Sequence, residues 1–364
     1  MKRLGTVAIV LLALLLVAGG AAWTQRGVIA EKVMAKVFDR AMGTDLPAEL
    51  PDGLHVGLCG SGSPMPDPTR AGPCTVVIAG TRVFVVDSGT GSTKTLSLMN
   101  IPPARVDAVL ITHFHSDHIA DLGELMLQNW AAGARKTPLP VYGPTGVEQV
   151  VAGIDTEYTA DRGYRIAHHG EKVVPPTGFG GQAHPFAITK GGPNVTIIDE
   201  PDLKVIAISV DHGPVDPAVG YLFIYKGRSV LVSGDTVPCA RLEAAAKGVD
   251  VLVHEGLQPD LVNLQHEAAV AHHRDNLAAI LHDILSYHTT PEQAAAMAQR
   301  AGAKYLLFTH VIPPLPIRAL EGPFLGKARS LYKGPIRVGR DGDLISLPAG
   351  GNLVVYSNRL KDLF

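Results

Sequence analysis

Short apolar runs followed by polar clusters recur along the middle and end of the chain. Four of them cover residues 107–112, 205–210, 229–232 and 305–308. Continuous apolar runs of this length are typical of buried strands. The first run leads through a polar loop into residues 119–132, whose apolar spacing predicts an amphipathic helix. The pattern therefore predicts an α/β fold that collects its chemistry in loops at strand ends.

The first loop holds four potential metal ligands within six residues: His113, His115, Asp117 and His118. In an extended loop His113 and His115 point the same way, because side chains repeat every second residue. Asp117 and His118 lie at the start of the predicted helix, where they can face a second point. Four ligands presented in two directions suit two adjacent metal ions better than one.

Later strand ends supply further candidates, namely His212, Asp235 and His310. The two oxygens of Asp235 allow it to bridge both ions. Imidazole and carboxylate ligands without a thiolate suit Zn²⁺, and also Mn²⁺ or Fe. We therefore expect a dinuclear centre with two Zn²⁺ per chain and an open position for water or substrate.

Residues of about 54–348 resemble the metallo-β-lactamase superfamily, and within it the ribonuclease Z and arylsulfatase-type branch. The resemblance rests on the ligand loops above and on Gly60-Ser-Gly-Ser-Pro64, Phe84-Val-Val-Asp87-Ser-Gly89, Val253-His254-Glu255 and Tyr287-His288-Thr289-Thr290, in the same order. It implies an αββα sandwich. It also implies one metal held by His113, His115, His212 and Asp235, and a second held by Asp117, His118, His310 and Asp235. Asp87 would orient a ligand imidazole.

The resemblance also implies a hydrolytic mechanism. A metal-bound hydroxide would be the nucleophile, with Asp117 orienting or accepting its proton. His288 would protonate the leaving group and would be paired with Glu255, which holds its tautomer. A purely structural His288, next to the N-terminus of a helix predicted over residues 291–301, is the alternative.

The predicted substrate follows from what the chain lacks. Ribonuclease Z proper carries a long arm between its third histidine ligand and the bridging aspartate, whereas only 23 positions separate His212 from Asp235 (235 − 212). The net charge is −2, from 32 basic and 34 acidic residues. We therefore expect a hydrolase of small phosphate or sulfate esters that binds no nucleic acid. Arg274, on a predicted helical lid over residues 257–287, is the candidate substrate-binding cation.

Three other functions stay open. One is a lactonase or β-lactamase-like hydrolase of C–O or C–N bonds, which shares the metal core. Another is a ribonuclease Z-like tRNA 3′ endonuclease, and a third is a non-catalytic, membrane-anchored binding protein. Association into a homodimer is also left open.

The N-terminus has a composition of its own. Lys2 and Arg3 precede an uncharged stretch over residues 4–23, long enough to span a bilayer. We expect residues 1–25 to be a membrane anchor or a signal peptide, 26–53 an amphipathic helix and linker, and 54–364 the hydrolase domain. The catalytic domain would then lie outside the cytoplasm, in the periplasm or the extracellular space.

Three cysteines are present. Cys59 and Cys74 flank a loop of the first predicted hairpin, and either pair in an oxidising compartment or remain buried thiols. No cysteine lies within the ligand loops, so none is a candidate ligand.

Overall fold

The computed structural model describes residues 2–361, and the chain divides after Asp45 into two compact units. The first unit contains helices α1 (Lys2–Thr24) and α2 (Arg26–Gly43). Among the residues whose side chains are described, which exclude 1–10, 16 and 21, no single helix is long and apolar enough to cross a membrane. A pair bent by 69°, Leu11–Thr24 with Arg26–Gly43, meets the length and composition criteria together. The N-terminal anchor or signal therefore stays a prediction; Met1 and residues 362–364 of the predicted segments lie outside the described residues.

Two β-sheets form the body of the second unit. Its strands are β1 (Gly53–Gly60), β2 (Cys74–Ala79), β3 (Arg82–Val86), β4 (Ala108–Leu110), β5 (Leu139–Pro144), β6 (Gly181–Phe186), β7 (Val195–Asp199), β8 (Leu203–Ser209), β9 (Val219–Tyr225), β10 (Arg228–Val232), β11 (Val251–Leu257), β12 (Leu306–Ile312), β13 (Ile336–Val338), β14 (Asp343–Pro348) and β15 (Val355–Asn358). The first sheet has the order β15-β14-β1-β2-β3-β4-β5-β6 and the second β13-β12-β11-β10-β9-β8-β7. Strands β3 to β6 run parallel in the first sheet, as do β10 to β13 in the second.

Helices cover the outer faces of both sheets. The α-helices of the second unit, including those at the strand ends, are α3 (Leu46–Glu49), α4 (Ser92–Leu98), α5 (Ser116–Ile119), α6 (Leu122–Gly133), α7 (Val147–Glu157), α8 (Thr159–His169), α9 (Ala240–Ala245), α10 (Pro259–Ala271), α11 (Asp275–Asp283), α12 (Pro291–Ala301), α13 (Glu321–Leu325) and α14 (Ala328–Leu331). Leu96, Met126 and Val151 from α4, α6 and α7 are buried on the first sheet. Leu242 and Met297 from α9 and α12 are buried on the second.

The two sheets pack face to face around one apolar core. Phe84 on β3 and Phe223 on β9 meet across the interface with ring centroids 5.8 Å apart. Burying one such side chain contributes about 1.5–3 kcal/mol relative to leaving it in water. β1 is buried along its whole length because the opposite sheet and the outer helices cover both its faces. This four-layer arrangement is the predicted αββα sandwich, so the predicted α/β fold with two sheets is confirmed.

Two element boundaries near the ligands differ from the sequence prediction. The helix expected over residues 119–132 begins only at Leu122, because the main-chain N–H of Asp121 bonds to Ser88 instead of continuing the short α5. The strand expected over residues 305–308 extends to Ile312 and contains a bulge. Glu255 pairs with Thr309 and the next residue, Gly256, pairs with Val311, so His310 is left without a partner in β11.

A disulfide joins Cys59 at the end of β1 to Cys74 at the start of β2. Of the two alternatives left open by the sequence, the structure therefore contains the paired one. The bond closes the loop of residues 60–73, in which the carbonyl of Ser61 accepts the N–H of Val311, the neighbour of His310. Cys239 is a free thiol, half-buried at the start of α9.

Candidate metal centre

The seven predicted ligands converge from both sheets on one edge of the sandwich. His113 and His115 follow β4, and the first turn of α5 carries Asp117 and His118. His212 follows β8, Asp235 follows β10 and His310 occupies the bulge of β12. Because the parallel strands of each sheet end at this edge, residues far apart in the chain come together there.

The first group of ligand atoms consists of nitrogens from three histidines. Nε2 of His113 lies 2.9 Å from Nδ1 of His115, which is 3.4 Å from Nε2 of His212. Oδ2 of Asp235 lies 4.0 Å from Nε2 of His113 and 3.9 Å from that of His212. Ligand atoms around a tetrahedral zinc ion, each about 2.1 Å from the metal, are separated by about 3.4 Å. The group therefore has the dimensions of a metal site.

The second group shares Asp235 with the first. Oδ2 of Asp117 lies 3.6 Å from Nε2 of His118 and 3.3 Å from Nε2 of His310. Oδ2 of Asp235 is 3.3 Å from Nε2 of His118 and 3.2 Å from that of His310. One carboxylate oxygen thus lies within reach of both groups, which is the position of a bridging ligand between two ions.

The chemistry of these groups also fits a metal. Nε2 of His118 is buried and makes no hydrogen bond within the described part of the chain. Burial lowers the pKa of His118, but Asp235 and Asp87 outweigh burial and raise it well above its usual value, so an ion at Nε2 would replace the proton there. Burial lowers the pKa of His113 well below its usual value, and burial also lowers the pKa of His212. Both imidazoles are therefore neutral at pH 7, the protonation state that binds metals. Burial raises the pKa of Asp235, but His310 and His118 outweigh burial and hold it well below the usual value.

Oxygen atoms around the site fix the orientation of the imidazoles. Oδ2 of Asp87 accepts hydrogen bonds from Nδ1 of His118 and from the hydroxyl of Thr112, both at 2.8 Å. Nδ1 of His113 lies 3.1 Å from the same hydroxyl, and Nδ1 of His212 donates to the carbonyl of Tyr287 at 3.0 Å. Each bond occupies Nδ1 and turns Nε2 of the ring toward the ligand groups. The sequence indicated Asp87 but not Thr112 or Tyr287, since a hydroxyl next to a ligand and a main-chain carbonyl leave no motif.

His288 and Glu255 lie next to the two ligand groups. Nδ1 of His288 is 3.3 Å from Oε1 of Glu255, and that oxygen also accepts a hydrogen bond from the N–H of Thr289 at 2.9 Å. The His288 ring stacks on His310 with centroids 5.5 Å apart and lies 5.1 Å from that of His212. Burial lowers the pKa of His288, but the charges of Glu255 and Asp235 outweigh burial and raise it. A raised pKa suits a group that donates a proton.

Arg274 lies elsewhere. It precedes α11 and lines a separate cavity of about 700 Å³ together with Met65 and Pro314. Among the described residues, its side chain makes no hydrogen bond or ion pair with a predicted ligand. Helices α10 and α11 do occupy the predicted lid segment, and they pack on Leu257 and Ile312 beside the strand ends.

The family model described as "Metallo-beta-lactamase superfamily" matches residues 67–273. The chain belongs to this superfamily, and is a metal-dependent hydrolase of its fold. Among its relatives, "Ribonuclease Z" of Mycobacterium avium (strain 104) is 37% identical over 290 residues, covering 79% of this chain and 96% of the relative. "Ribonuclease Z" of Mycobacterium marinum is 36% identical with the same coverage.

Two solved structures share the fold. The metallo-beta-lactamase fold protein YhfI from Bacillus subtilis has a TM-score of 0.57 at 18% identity, covering 81% of this chain and 100% of its own. The short form of human tRNase Z has a TM-score of 0.54 at 22% identity, covering 81% of this chain and 99% of its own. At these identities the likeness concerns the fold alone.

These relatives overturn two predictions. A hydrolase of small phosphate or sulfate esters is wrong as the main function, and so is the expectation of no nucleic-acid partner, because the curated relatives are named ribonucleases. Likeness to arylsulfatases finds no support among them. The error has a physical reason: a net charge of −2 averages over the whole chain and does not report where cations cluster on the surface. The ribonuclease Z-like alternative agrees with the comparisons.

Proposed function

We propose that this protein is a ribonuclease Z-like endonuclease that hydrolyses a phosphodiester bond on the 3′ side of tRNA precursors. The observation that carries the proposal is the 37% identity to "Ribonuclease Z" across 96% of that relative's length. The seven ligand residues agree with it, because they form two groups that share Asp235. A phosphodiester is hydrolysed by in-line attack of water, for which two adjacent metals are well suited.

Zinc is the metal we propose for both positions. The donor set contains five imidazoles and two carboxylates, with no thiolate among the seven residues. When bound, the two ions supply charge neutralisation at the phosphate and a lowered pKa of the attacking water. His113, His115 and His212 would hold one ion, Asp117, His118 and His310 the other, and Asp235 both.

The side chains around the ions have separate tasks in this proposal. Asp117 is less buried than the other carboxylate, and its second oxygen can orient the water and accept its proton. His288 donates a proton to the leaving 3′ oxygen of the RNA, which is a poor leaving group without one. Glu255 fixes the His288 ring through Nδ1 and leaves Nε2 as the proton-donating atom.

Cleavage of a precursor tRNA tests the proposal. The substrate is a transcript with a 3′ extension, and the ends of both products are mapped at single-nucleotide resolution. We expect one cut near the 3′ end of the mature tRNA, loss of cutting with a chelator and its return with added Zn²⁺. His310→Ala, which removes a proposed ligand, is the matched inactive variant. Intact precursor after incubation with zinc-loaded protein, or progressive trimming from the end, would overturn the proposal.

A further inference from the structure

A large cleft lies in the second unit and is connected by hydrogen bonds to the strand that carries His310. It has a volume of about 880 Å³ and includes residues 315–318, which follow the strand that carries His310. Another lining residue, Asp341, accepts hydrogen bonds from the N–H and the hydroxyl of Ser61, both at 2.9 Å. The carbonyl of Ser61 accepts the N–H of Val311, the neighbour of His310, at 3.0 Å. The wall of the cleft is thus connected by hydrogen bonds to β12, the strand that carries His310.

Cations outnumber anions on the cleft surface. Arg340 lines it and is paired with Glu321, which neutralises both charges. Arg318 and Lys361 also line the cleft, are exposed, and have no ion pair or side-chain hydrogen bond within residues 2–361. Two cations held at one cleft without partners repel each other and attract an anion. The free charges therefore indicate an anionic ligand.

A flat cation stacked on an aromatic ring adds a second recognition element. The guanidinium carbon of Arg337 lies 3.6 Å from the centroid of the Tyr356 ring. Nε of Arg337 donates to the hydroxyl of Tyr305 at 3.3 Å, and the hydroxyl of Tyr356 donates to Asp343 at 2.8 Å. Both groups are therefore held in place before a ligand arrives. Guanidinium and aromatic planes are the surfaces on which unpaired RNA bases stack.

The cleft can accommodate an RNA segment, whereas the stretch between His212 and Asp235 is too short to form a separate RNA-binding arm. The stretch between His212 and Asp235 is taken up by the hairpin of β9 and β10, which turns at Lys226 and Gly227. An endonuclease that acts on a folded RNA has to hold it away from the cut bond as well. The cleft offers unpaired cations, a stacking plane and a hydrogen-bonded connection to the strand that carries His310.

We propose that the cleft defined by Arg318, Arg337, Tyr356 and Lys361 binds an unpaired segment of the precursor RNA, with its phosphates on the two free cations. This inference rests on the proposed function and names the surface through which the substrate is held. It concerns binding and not chemistry, so it predicts an effect on KM and on salt dependence while kcat is unchanged.

The double variant Arg318→Ala/Lys361→Ala tests the inference in the zinc-loaded full chain. Lys247→Ala/Lys333→Ala is the matched control, because it removes two exposed cations that do not line the cleft. We expect the cleft variant to raise KM for precursor tRNA about tenfold at physiological salt, with kcat within twofold of the wild type. The slope of log KM against log salt concentration should fall by about 1.4, which is two single-strand phosphate contacts.

A second pair of variants tests the stacking plane. Tyr356→Phe keeps the ring and loses only its hydroxyl, whereas Tyr356→Ala removes the ring. We expect the alanine variant to raise KM at least threefold more than the phenylalanine variant. Near-wild-type far-ultraviolet circular dichroism and zinc content establish that both are folded.

The outcomes separate the two proposals. A wild type that cleaves the precursor, together with a cleft variant of unchanged KM and salt slope, overturns the cleft and leaves the proposed function standing. An equal increase in KM in the cleft variant and in the Lys247/Lys333 control also overturns the cleft proposal, since it means that any exposed cation attracts the RNA to the same extent. A wild type that neither binds nor cleaves the precursor overturns the proposed function and with it the inference.

Discussion

His118 and His212 each use their two ring nitrogens for different tasks. His118 turns Nδ1 toward Asp87 and keeps Nε2 unbonded, while His212 uses a main-chain carbonyl for the same purpose. A carboxylate partner makes the ring more basic, whereas a carbonyl fixes only its direction. The two metal positions therefore differ in ligand basicity, although both contain histidine and share Asp235.

The proton-donor role proposed for His288 gives a prediction at the residue scale. His288→Ala should lower kcat for precursor tRNA by about 10²–10⁴-fold, because the leaving 3′ oxygen then departs without a proton. Zinc content should stay unchanged, since the ring is not among the seven ligands. Glu255→Gln keeps the acceptor oxygen for Thr289 and removes the charge, so its loss should be smaller. A His288→Ala enzyme with wild-type kcat, measured in single turnover, would contradict the role.

Asp341 gives a pH dependence of stability. Burial raises the pKa of this carboxyl to about 6, even though the N–H of Ala71 and both donors of Ser61 bond to it. An acid whose pKa is higher in the folded state takes up its proton on folding, so stability rises as pH falls from 7 to 5. For this group alone the free energy of unfolding increases by about 1 kcal/mol between pH 7 and pH 5.

Asp341→Asn removes that titration. The free energy of unfolding, measured by urea denaturation of metal-free protein, should favour the wild type over this variant by about 1 kcal/mol more at pH 5 than at pH 7. Using metal-free samples keeps zinc release out of the comparison. A wild-type advantage that stays constant or shrinks toward pH 5 would mean that Asp341 is still ionised at that pH in the folded protein.

At the scale of elements, the disulfide restrains the β1–β2 hairpin. The bond spans a sequence separation of 15, and closing a loop of this length is worth about 3 kcal/mol in unfolded-state entropy. Cys59→Ser/Cys74→Ser should therefore unfold at a lower urea concentration, with a free energy of unfolding smaller by about 2–4 kcal/mol. Cys239→Ser, which removes the free thiol, is the control and should leave stability nearly unchanged.

Thiol counting checks the same bond directly. Denatured, unreduced protein should react with one equivalent of a thiol reagent and reduced protein with three, since the chain has three cysteines. Three reactive thiols before reduction would show that the pair is not oxidised in the purified protein.

At the scale of the whole molecule, the ligands come from both sheets. His113 to His118 follow the first sheet, and His212, Asp235 and His310 belong to the second. Ions bound between them therefore stabilise the packing of one half on the other, and binding energy adds to folding energy. Protein purified without chelator should contain about two metal ions per chain by elemental analysis.

Removing the metal should lower the thermal midpoint as well as the activity. Zinc at 100 times its dissociation constant stabilises the folded state by about 2.7 kcal/mol. His113→Ala should lower both the metal content and the midpoint, whereas His184→Ala, a histidine stacked on Tyr142 away from the ligand groups, should change neither. Less than one ion per chain after reconstitution with zinc would exclude a dinuclear centre.

The convergence of the candidate ligands could be predicted from the sequence because they combine two local signals. The first signal is position, because each candidate ligand follows an apolar run. The second is residue type, because histidine and aspartate, as at His113 and Asp235, are common metal ligands and are not required for folding at strand ends. The bulge that places His310 inside β12 could not be predicted, since it arises from pairing with β11, remote in the chain. The cleft was missed for the same reason. Arg318 and Lys361 are far apart in sequence, and only folding brings their charges to one surface.

Two residues at the metal centre have left-handed backbone conformations: Asp87 with φ of 60° and His310 with φ of 46°. Such a conformation costs a residue with a side chain about 1 kcal/mol or more, and glycine avoids the cost. Selection for folding alone would thus drive both positions toward glycine and erase the site. A variant library screened only for thermal stability should be enriched in glycine there, whereas one screened for turnover should retain Asp87 and His310.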